Sequence, residues 1–316
     1  MNSKLKWYSF RWRFLVLFIV LCLWAIGYAG LRIYLITRVL PMGIGPAGPS
    51  VSPASFQNVW SDDKYMLVGL GDSITRGLGT SRPFTYFQLL ARNNNEHCPE
   101  MTGCDLLSVL PNLQYENFAQ DFTVTQQHID TQLPRIPVYP TDVQGIVVLT
   151  TGGNDLIHDY GRSKPRDGAM YGCSYRKAIV WSENIKQRIA QILEEINTKF
   201  PGGCEIFLAN IYDPTDGVSD PQTVGLPRWP QASKVLALTN EKIVELCNQF
   251  ENVHLVDIHS TFLGHGIHCT ERWRKHHHHG DPTFWYYHNL EDPNRRGYDA
   301  IRKLYLNKIA EVLANP

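Results

Sequence analysis

The chain has 316 residues and carries 30 Lys and Arg against 30 Asp and Glu, so its net charge is zero with histidine neutral. That balance excludes a partner held by bulk electrostatics, nucleic acid above all. Hydrophobic residues make up 43%, enough for one large globular core plus an appendage.

In chain order, the first feature is an apolar run. Residues 14–31 carry no charge. A bilayer core is crossed by about 20 apolar residues, and a snorkelling Arg32 extends the run to residue 36. Lys4, Lys6, Arg11 and Arg13 precede it, against Arg32 and Arg38 after it. The positive-inside bias therefore places residues 1–13 in the cytoplasm. Residues 14–36 are read as a transmembrane signal anchor, and the remainder as extracytoplasmic (periplasmic or extracellular). A cleaved signal peptide has a shorter apolar core, about 7–15 residues, and a small-x-small site that does not follow here.

Residues 37–61 are rich in Gly, Pro and Ser and read as a linker. The folded domain is expected over residues 62–316. Apolar runs at 66–70, 113–118, 145–150, 205–210 and 253–257 predict strands. Helical spacing predicts helices at 83–93, 176–199, 232–250 and 297–313, the second marked by Ile185, Ile189, Ile192, Leu193 and Ile196. Five strands alternating with helices predict an α/β fold with a five-stranded parallel sheet covered on both faces. The stretch 258–295 has little periodicity, and a loop that long in a compact domain is commonly functional.

Seven cysteines occur. Cys22 lies in the apolar run. Cys98, Cys104, Cys173, Cys204, Cys247 and Cys269 are an even set in an oxidising compartment, which predicts disulfide bonds. Cys98 and Cys104 bracket a small loop; the other pairings stay open, as does the alternative of buried free thiols.

The first strand ends abruptly at Gly71-Asp72-Ser73. Ligands in α/β folds sit at the carboxyl ends of parallel strands, so Ser73 is a candidate nucleophile. A plain tight turn is the other reading. A serine nucleophile needs a base, an orienter and oxyanion donors. Asn154, in Gly152-Gly153-Asn154-Asp155, lies just past the third strand on the same rim and can donate its amide; a turn role is the alternative. The backbone N–H groups of residues 117–123 are a second donor source.

These blocks, closed by Asp292-Pro293-Asn294-Arg295-Arg296-Gly297-Tyr298, stand in the order of the SGNH (GDSL-type) hydrolase superfamily, and the chain resembles it over residues 64–313. The resemblance implies a flavodoxin-like three-layer sandwich and ester hydrolysis through an acyl-enzyme. It implies Ser73 as nucleophile, with an oxyanion hole of the Ser73 N–H, the Ala119 N–H and the Asn154 side chain. Ala119 stands where the family usually has Gly. No cofactor or metal is implied.

The last block departs from the family pattern, Asp-x-x-His. Asn289 stands in the aspartate's place and Asp292 in the histidine's. A carboxylate near pKa 4 is ordinarily a poorer base than an imidazole near about 6.5. Three readings follow. Another histidine of the loop supplies the base, with His288 nearest in sequence and His265, His268 and residues 276–279 as further candidates. Asp292 itself acts as the base. Or the site is degenerate and binds without cleaving. The four consecutive histidines at 276–279 lack the spacing of a closed zinc site and read as a solvated loop. Trp273, Phe284, Trp285, Tyr286 and Tyr287 either line a pocket or pack the loop down, and packing is expected.

The sequence thus predicts a membrane-anchored, extracytoplasmic, lipase-like serine esterase. Its partners are a small acyl ester, a lipid ester or an O-acetylated sugar. The alternatives are a degenerate domain of the same fold that binds a glycan or lipid, and an O-acyltransferase.

Overall fold

The computed structural model describes residues 2–81 and 83–314, with side chains described outside residues 2–11 and 35–37. The basic residues Lys4, Lys6 and Arg11 therefore lie outside the described side chains. Helix α1 spans Asn2–Thr37. Its stretch Trp12–Tyr34, 23 residues, is long and apolar enough to cross a membrane. Together with Pro221–Leu226 it forms one compact unit; residues 40–220 and 227–316 form the other.

The second unit is built on five parallel strands. They are β1 (Lys64–Gly71), β2 (Leu113–Asn117), β3 (Val143–Thr150), β4 (Cys204–Ala209) and β5 (Val253–Val256), in the order β2-β1-β3-β4-β5. That is the flavodoxin-like order, with its switch point between β1 and β3. The pairing is in register from Lys64↔Val143 to Gly71↔Thr150, so both strands end on one rim.

The helices divide between the two faces as their apolar stripes dictate. We number those that matter here α2 (Ser73–Arg76), α3 (Tyr86–Ala91), α4 (Gly153–Ile157), α5 (Tyr175–Lys199), α6 (Ala232–Gln249) and α7 (Arg295–Leu313). On one face, Ile185, Ile189, Ile192, Leu193 and Ile196 of α5 meet Val68, Leu70, Val147, Leu149, Ile206 and Leu208, with Val235, Ile243 and Leu246 of α6 completing the core. Each fully buried aliphatic side chain contributes about 1.5–3 kcal/mol. On the other face α3 and α7 lie side by side, with Tyr86 stacked on Tyr305 at 5.1 Å between centroids.

Two expectations are corrected here. Residues 41–56, expected as part of a linker, lie docked on the domain: Ala47, Val51 and Phe56 are buried. The Ala47 N–H donates to Asp299 Oδ2 of α7 at 2.8 Å, and Asn307 Nδ2 donates to the Ser50 carbonyl at 3.0 Å. The glycines that suggested flexibility serve instead to let the backbone approach closely. At Gly48, φ is +76° and an added Cβ would lie 2.6 Å from Ala300 Cα. Second, disulfides were expected, and among the described residues no disulfide bond is present. Of the six that follow α1, five are buried as small apolar side chains; Cys204 Sγ donates to Asn197 Oδ1 at 3.3 Å.

The aperiodic stretch 258–295 is ordered by a buried carboxylate. Asp216 accepts from the N–H groups of Gly264 and Gly266 at 2.8 Å each and of His268 at 2.9 Å. Burial pushes its pKa up to about 6 against those bonds. Phe284, Trp285 and Tyr286 are buried, and Phe262 meets both Trp285 and Tyr286 edge-on, while Trp273 is exposed. Most of the loop aromatics therefore pack it down.

Candidate active site

The site begins where β1 stops. Gly71 has φ +122°, and a Cβ there would stand 1.9 Å from the Thr150 carbonyl oxygen, so only glycine fits. Its backbone is held by a side chain acting as a strand neighbour: the Gly71 N–H donates to Gln132 Oε1 at 3.0 Å and Gln132 Nε2 donates back to the Gly71 carbonyl at 2.8 Å. The chain then turns into α2. Asp72 caps it, with Oδ1 accepting from the Ile74 N–H at 3.1 Å and from Thr150 Oγ1 at 2.7 Å. Ser73 is the first residue of α2 and is buried.

Asp292 arrives beside Ser73 on a short hairpin. The Tyr287 N–H donates to the Asp292 carbonyl at 2.7 Å, and the Asn294 N–H to the Trp285 carbonyl at 2.8 Å. Asn289 organises the tip. Its Oδ1 accepts from the N–H groups of Glu291 and Asp292, both at 3.2 Å, and its Nδ2 donates to Asp292 Oδ2 at 2.7 Å. The Asp292 side chain is fully buried, and no full hydrogen bond reaches its Oδ1. The Ser73 hydroxyl stands close enough to favour its charged form. Burial outweighs that help and holds the Asp292 pKa above the ordinary carboxylate value; Ser73 and Asn289 pull it down and Asp121 pushes it up.

The site is acidic. Burial drives Asp72 up to about 7, against its bonds from Thr150 and Ile74, and the Asp292 charge adds to the rise. Glu291 is raised to about 7, by burial first and Asp292 second.

The proposed oxyanion donors have different fates. Asn154, in α4 and buried, gives one amide hydrogen to the Thr123 carbonyl at 2.9 Å, which orients the group and leaves its second hydrogen for a ligand. Ser73 places its N–H in the first turn of α2, where helical N–H groups have no intrahelical partner. The Ala119 N–H donates to Asn117 Oδ1 at 3.0 Å, a side chain bridging two residues on. Alanine fits the backbone there, since Ala119 is not among the residues with positive φ.

The histidines go elsewhere. His288 is exposed, its ring 3.8 Å from that of Tyr287, and among the described residues no hydrogen bond joins it to Ser73 or Asp292. His265 is buried flat against Trp285 at 3.4 Å, and burial lowers its pKa to about 4. His268 lies between Asp220 Oδ1 and Glu271 Oε1, both at 2.8 Å. His277 Nδ1 meets the Cys269 carbonyl at 2.9 Å. Among the described residues, no group of three His, Cys, Asp or Glu converges for a metal ion.

The supporting residues escaped the sequence reading. His128 is buried, with Nε2 3.0 Å from Thr123 Oγ1 and Nδ1 2.9 Å from Thr151 Oγ1. Burial lowers its pKa to about 3, so it is neutral. Asp155 accepts from the Thr125 N–H at 2.9 Å and from Arg188 Nη2 at 3.3 Å. Gln132, His128 and Arg188 act across tens of residues, and no spacing in the sequence points to them.

No curated protein matches the chain by sequence. Solved structures are matched at low identity. A lipase from a goat rumen metagenome is 16% identical with a TM-score of 0.47, covering 77% of this chain and 96% of its own. Phospholipase A1 from Streptomyces albidoflavus is 16% identical with a TM-score of 0.47, covering 79% and 99%. The acetylxylan esterase Axe2 from Geobacillus stearothermophilus is 14% identical with a TM-score of 0.47, covering 79% and 94%. Residues 70–300, from the end of β1 into α7, match the pattern of the GDSL-like lipase/acylhydrolase family. With Ser73 after β1, Asn154 after β3 and Asp292 before α7 set in that span, the chain belongs to the GDSL-like lipase/acylhydrolase family.

Proposed function

We propose that this protein is a membrane-anchored serine ester hydrolase in which Asp292 does the work of the missing imidazole. The observation that carries the reading is the buried Asp292 carboxyl beside the Ser73 hydroxyl, with its other oxygen held by Asn289 at 2.7 Å. The arrangement repeats the order nucleophile, base, orienter with the chemistry exchanged. A neutral amide suits a carboxylate base, as a second carboxylate would repel it. A base should have a pKa near the working pH, and burial moves Asp292 in that direction.

In the proposed reaction, Ser73 Oγ attacks the ester carbonyl and its proton passes to Asp292 Oδ1. The oxyanion is held by the Ser73 N–H and the second hydrogen of Asn154 Nδ2. The tetrahedral intermediate collapses, the alcohol leaves with the proton from Asp292, and the acyl group stays on Ser73. Water then attacks that ester, giving its proton to Asp292, which returns it to Ser73 as the acid departs. The substrate class is a small acyl ester, a lipid ester or an O-acetylated sugar. With Trp12–Tyr34 as anchor, the charge bias at its ends supports an extracytoplasmic catalytic domain.

The test is fluorophosphonate labelling and p-nitrophenyl acetate hydrolysis by the full chain in detergent, beside Ser73→Ala and Asp292→Asn. Labelling lost in Ser73→Ala and slowed about 10²–10⁴-fold in Asp292→Asn is expected. Full-rate labelling of Asp292→Asn would remove Asp292 from the role of base and reopen it for His288. No labelling of the unaltered chain would favour a binding domain that does not cleave.

A further inference from the structure

The docked segment 41–51 has a relation to Asp292 that its composition conceals. The hairpin carrying Asp292 opens at Phe284–Trp285 and closes at Asn294, where α7 begins. Both ends touch the segment. The Phe284 N–H donates to the Pro41 carbonyl at 2.7 Å. Asn294 Nδ2 donates to the Phe284 carbonyl at 2.6 Å and also lies 3.8 Å from Met42 Sδ. At Gly43, with φ +68°, an added Cβ would lie 2.7 Å from Thr283 Cγ2 and 3.3 Å from Arg296 Cζ, one on each side of the hairpin base. Arg296 closes the clasp, donating to the carbonyls of Ile44 and Gly45 and to Asp281.

Beyond the clasp the segment is tied along α7. Asp299 Oδ2 receives both the Ala47 N–H and Lys303 Nζ at 2.8 Å, and Lys303 Nζ also donates to the Ala47 carbonyl at 3.0 Å. Asp299 Oδ1 accepts from Arg302 Nε at 2.6 Å, and Arg302 Nη1 reaches Asn93 Oδ1 at 2.8 Å. These charges are buried. A buried ionic network has discrete geometry and costs free energy when one member is lost. It therefore fixes where the segment lies.

We propose that residues 41–51 are a positioning strap for the catalytic carboxylate: by gripping both ends of the hairpin they set the depth and direction of Asp292 against Ser73. The proposal rests on the serine hydrolase reading above. In that reading Asp292 takes the proton of the reacting hydroxyl; the strap acts only through Asp292. A loosened hairpin misplaces the carboxylate, and misplacement of about 1 Å costs up to 10²-fold in rate. It also admits water to a carboxyl whose raised pKa depends on burial, so the acid limb of reactivity moves to lower pH.

The experiment compares fluorophosphonate labelling rate, its pH profile and melting temperature in the full chain and three variants. Gly48→Ala drives a Cβ into the α7 backbone, and Gly43→Ala crowds the clasp. Gly103→Ala is the matched control, with φ +77° and open space around the added atom. The expected result is labelling slowed at least about tenfold, with the acid limb displaced downward, in Gly48→Ala and Gly43→Ala. Gly103→Ala loses melting temperature but keeps rate and limb. Should Gly48→Ala not fold, Asn307→Ala, which removes only the bond to the Ser50 carbonyl, takes its place with the same readouts. Strap variants with the control's rate and limb would overturn the proposal alone. No Ser73 labelling in the unaltered chain would overturn the hydrolase reading and any catalytic positioning with it.

Discussion

Asp72→Asn isolates the electrostatic cost of the acidic site. Asp72 is buried and its pKa stands at about 7, against an ordinary value near 3.9. That gap is roughly three pH units, and at 1.36 kcal/mol per unit the charged form costs the fold roughly 4 kcal/mol. Because the folded pKa is the higher one, the folded state binds more protons between about pH 4 and 7. Stability therefore falls as pH rises through that window, and above it the full cost is present. Asparagine cannot ionise. Its Oδ1 can still accept from Thr150 Oγ1 and the Ile74 N–H, as Asp72 Oδ1 does. A neutral acceptor makes weaker bonds, by about 1 kcal/mol, which leaves a net gain of about 2–3 kcal/mol at pH 8. In a domain of this size that corresponds to a rise of about 5–10 °C. The assay is thermal melting followed by near-ultraviolet circular dichroism at pH 4 and pH 8. Asp72→Asn should melt higher than the unaltered chain at pH 8 and no higher at pH 4. Equal or lower melting at pH 8, or a difference that does not depend on pH, would refute the assignment of Asp72 as a buried carboxyl held against its charge.

Asn289→Ala removes a bond that favours the charged Asp292; its pKa should rise further and the acid limb of Ser73 labelling should move to higher pH, opposite in direction to the strap variants. His128 is neutral, with a folded pKa of about 3 below an unfolded value near 6.5. The unfolded state takes up the proton first, so stability is lost as pH falls through that interval. His128→Phe should cost about 1–3 kcal/mol at pH 7 by removing the partner of the Thr151 hydroxyl, yet show a shallower loss on acidification in urea titrations at pH 5 and 7. Gly71→Ala would place a Cβ 1.9 Å from the Thr150 carbonyl; no folded protein should accumulate, as judged by soluble yield and melting transition.

The chain's own residues determined a great deal. Continuous apolar runs ending at Gly71 and Thr150 marked strands covered on both faces, and their order left Ser73 and Asn154 on one rim. The stripe of Ile185, Ile189, Ile192, Leu193 and Ile196 located α5 to within one residue. These are local signals, written by the periodicity of strand and helix. Long-range pairing is not written that way. Residues 41–51 have the composition of a free linker, and only the fold brings Ala47 to Asp299 across 252 positions. The same holds for Gln132 on Gly71, 61 residues apart. At the site, the sequence showed that Asp292 fills the histidine's slot, but not whether an imidazole reaches Ser73 from elsewhere. That depends on where an aperiodic loop is held. Burial of Tyr286 and the Asn289 cap fold it into a hairpin, which turns Asp292 inward and leaves His288 in solvent. Residue type and spacing determined which chemistry was available on the rim. Burial and hydrogen bonding between distant segments, which exist only once the chain has closed on itself, decided which carboxyl lies against the serine and how its proton is held.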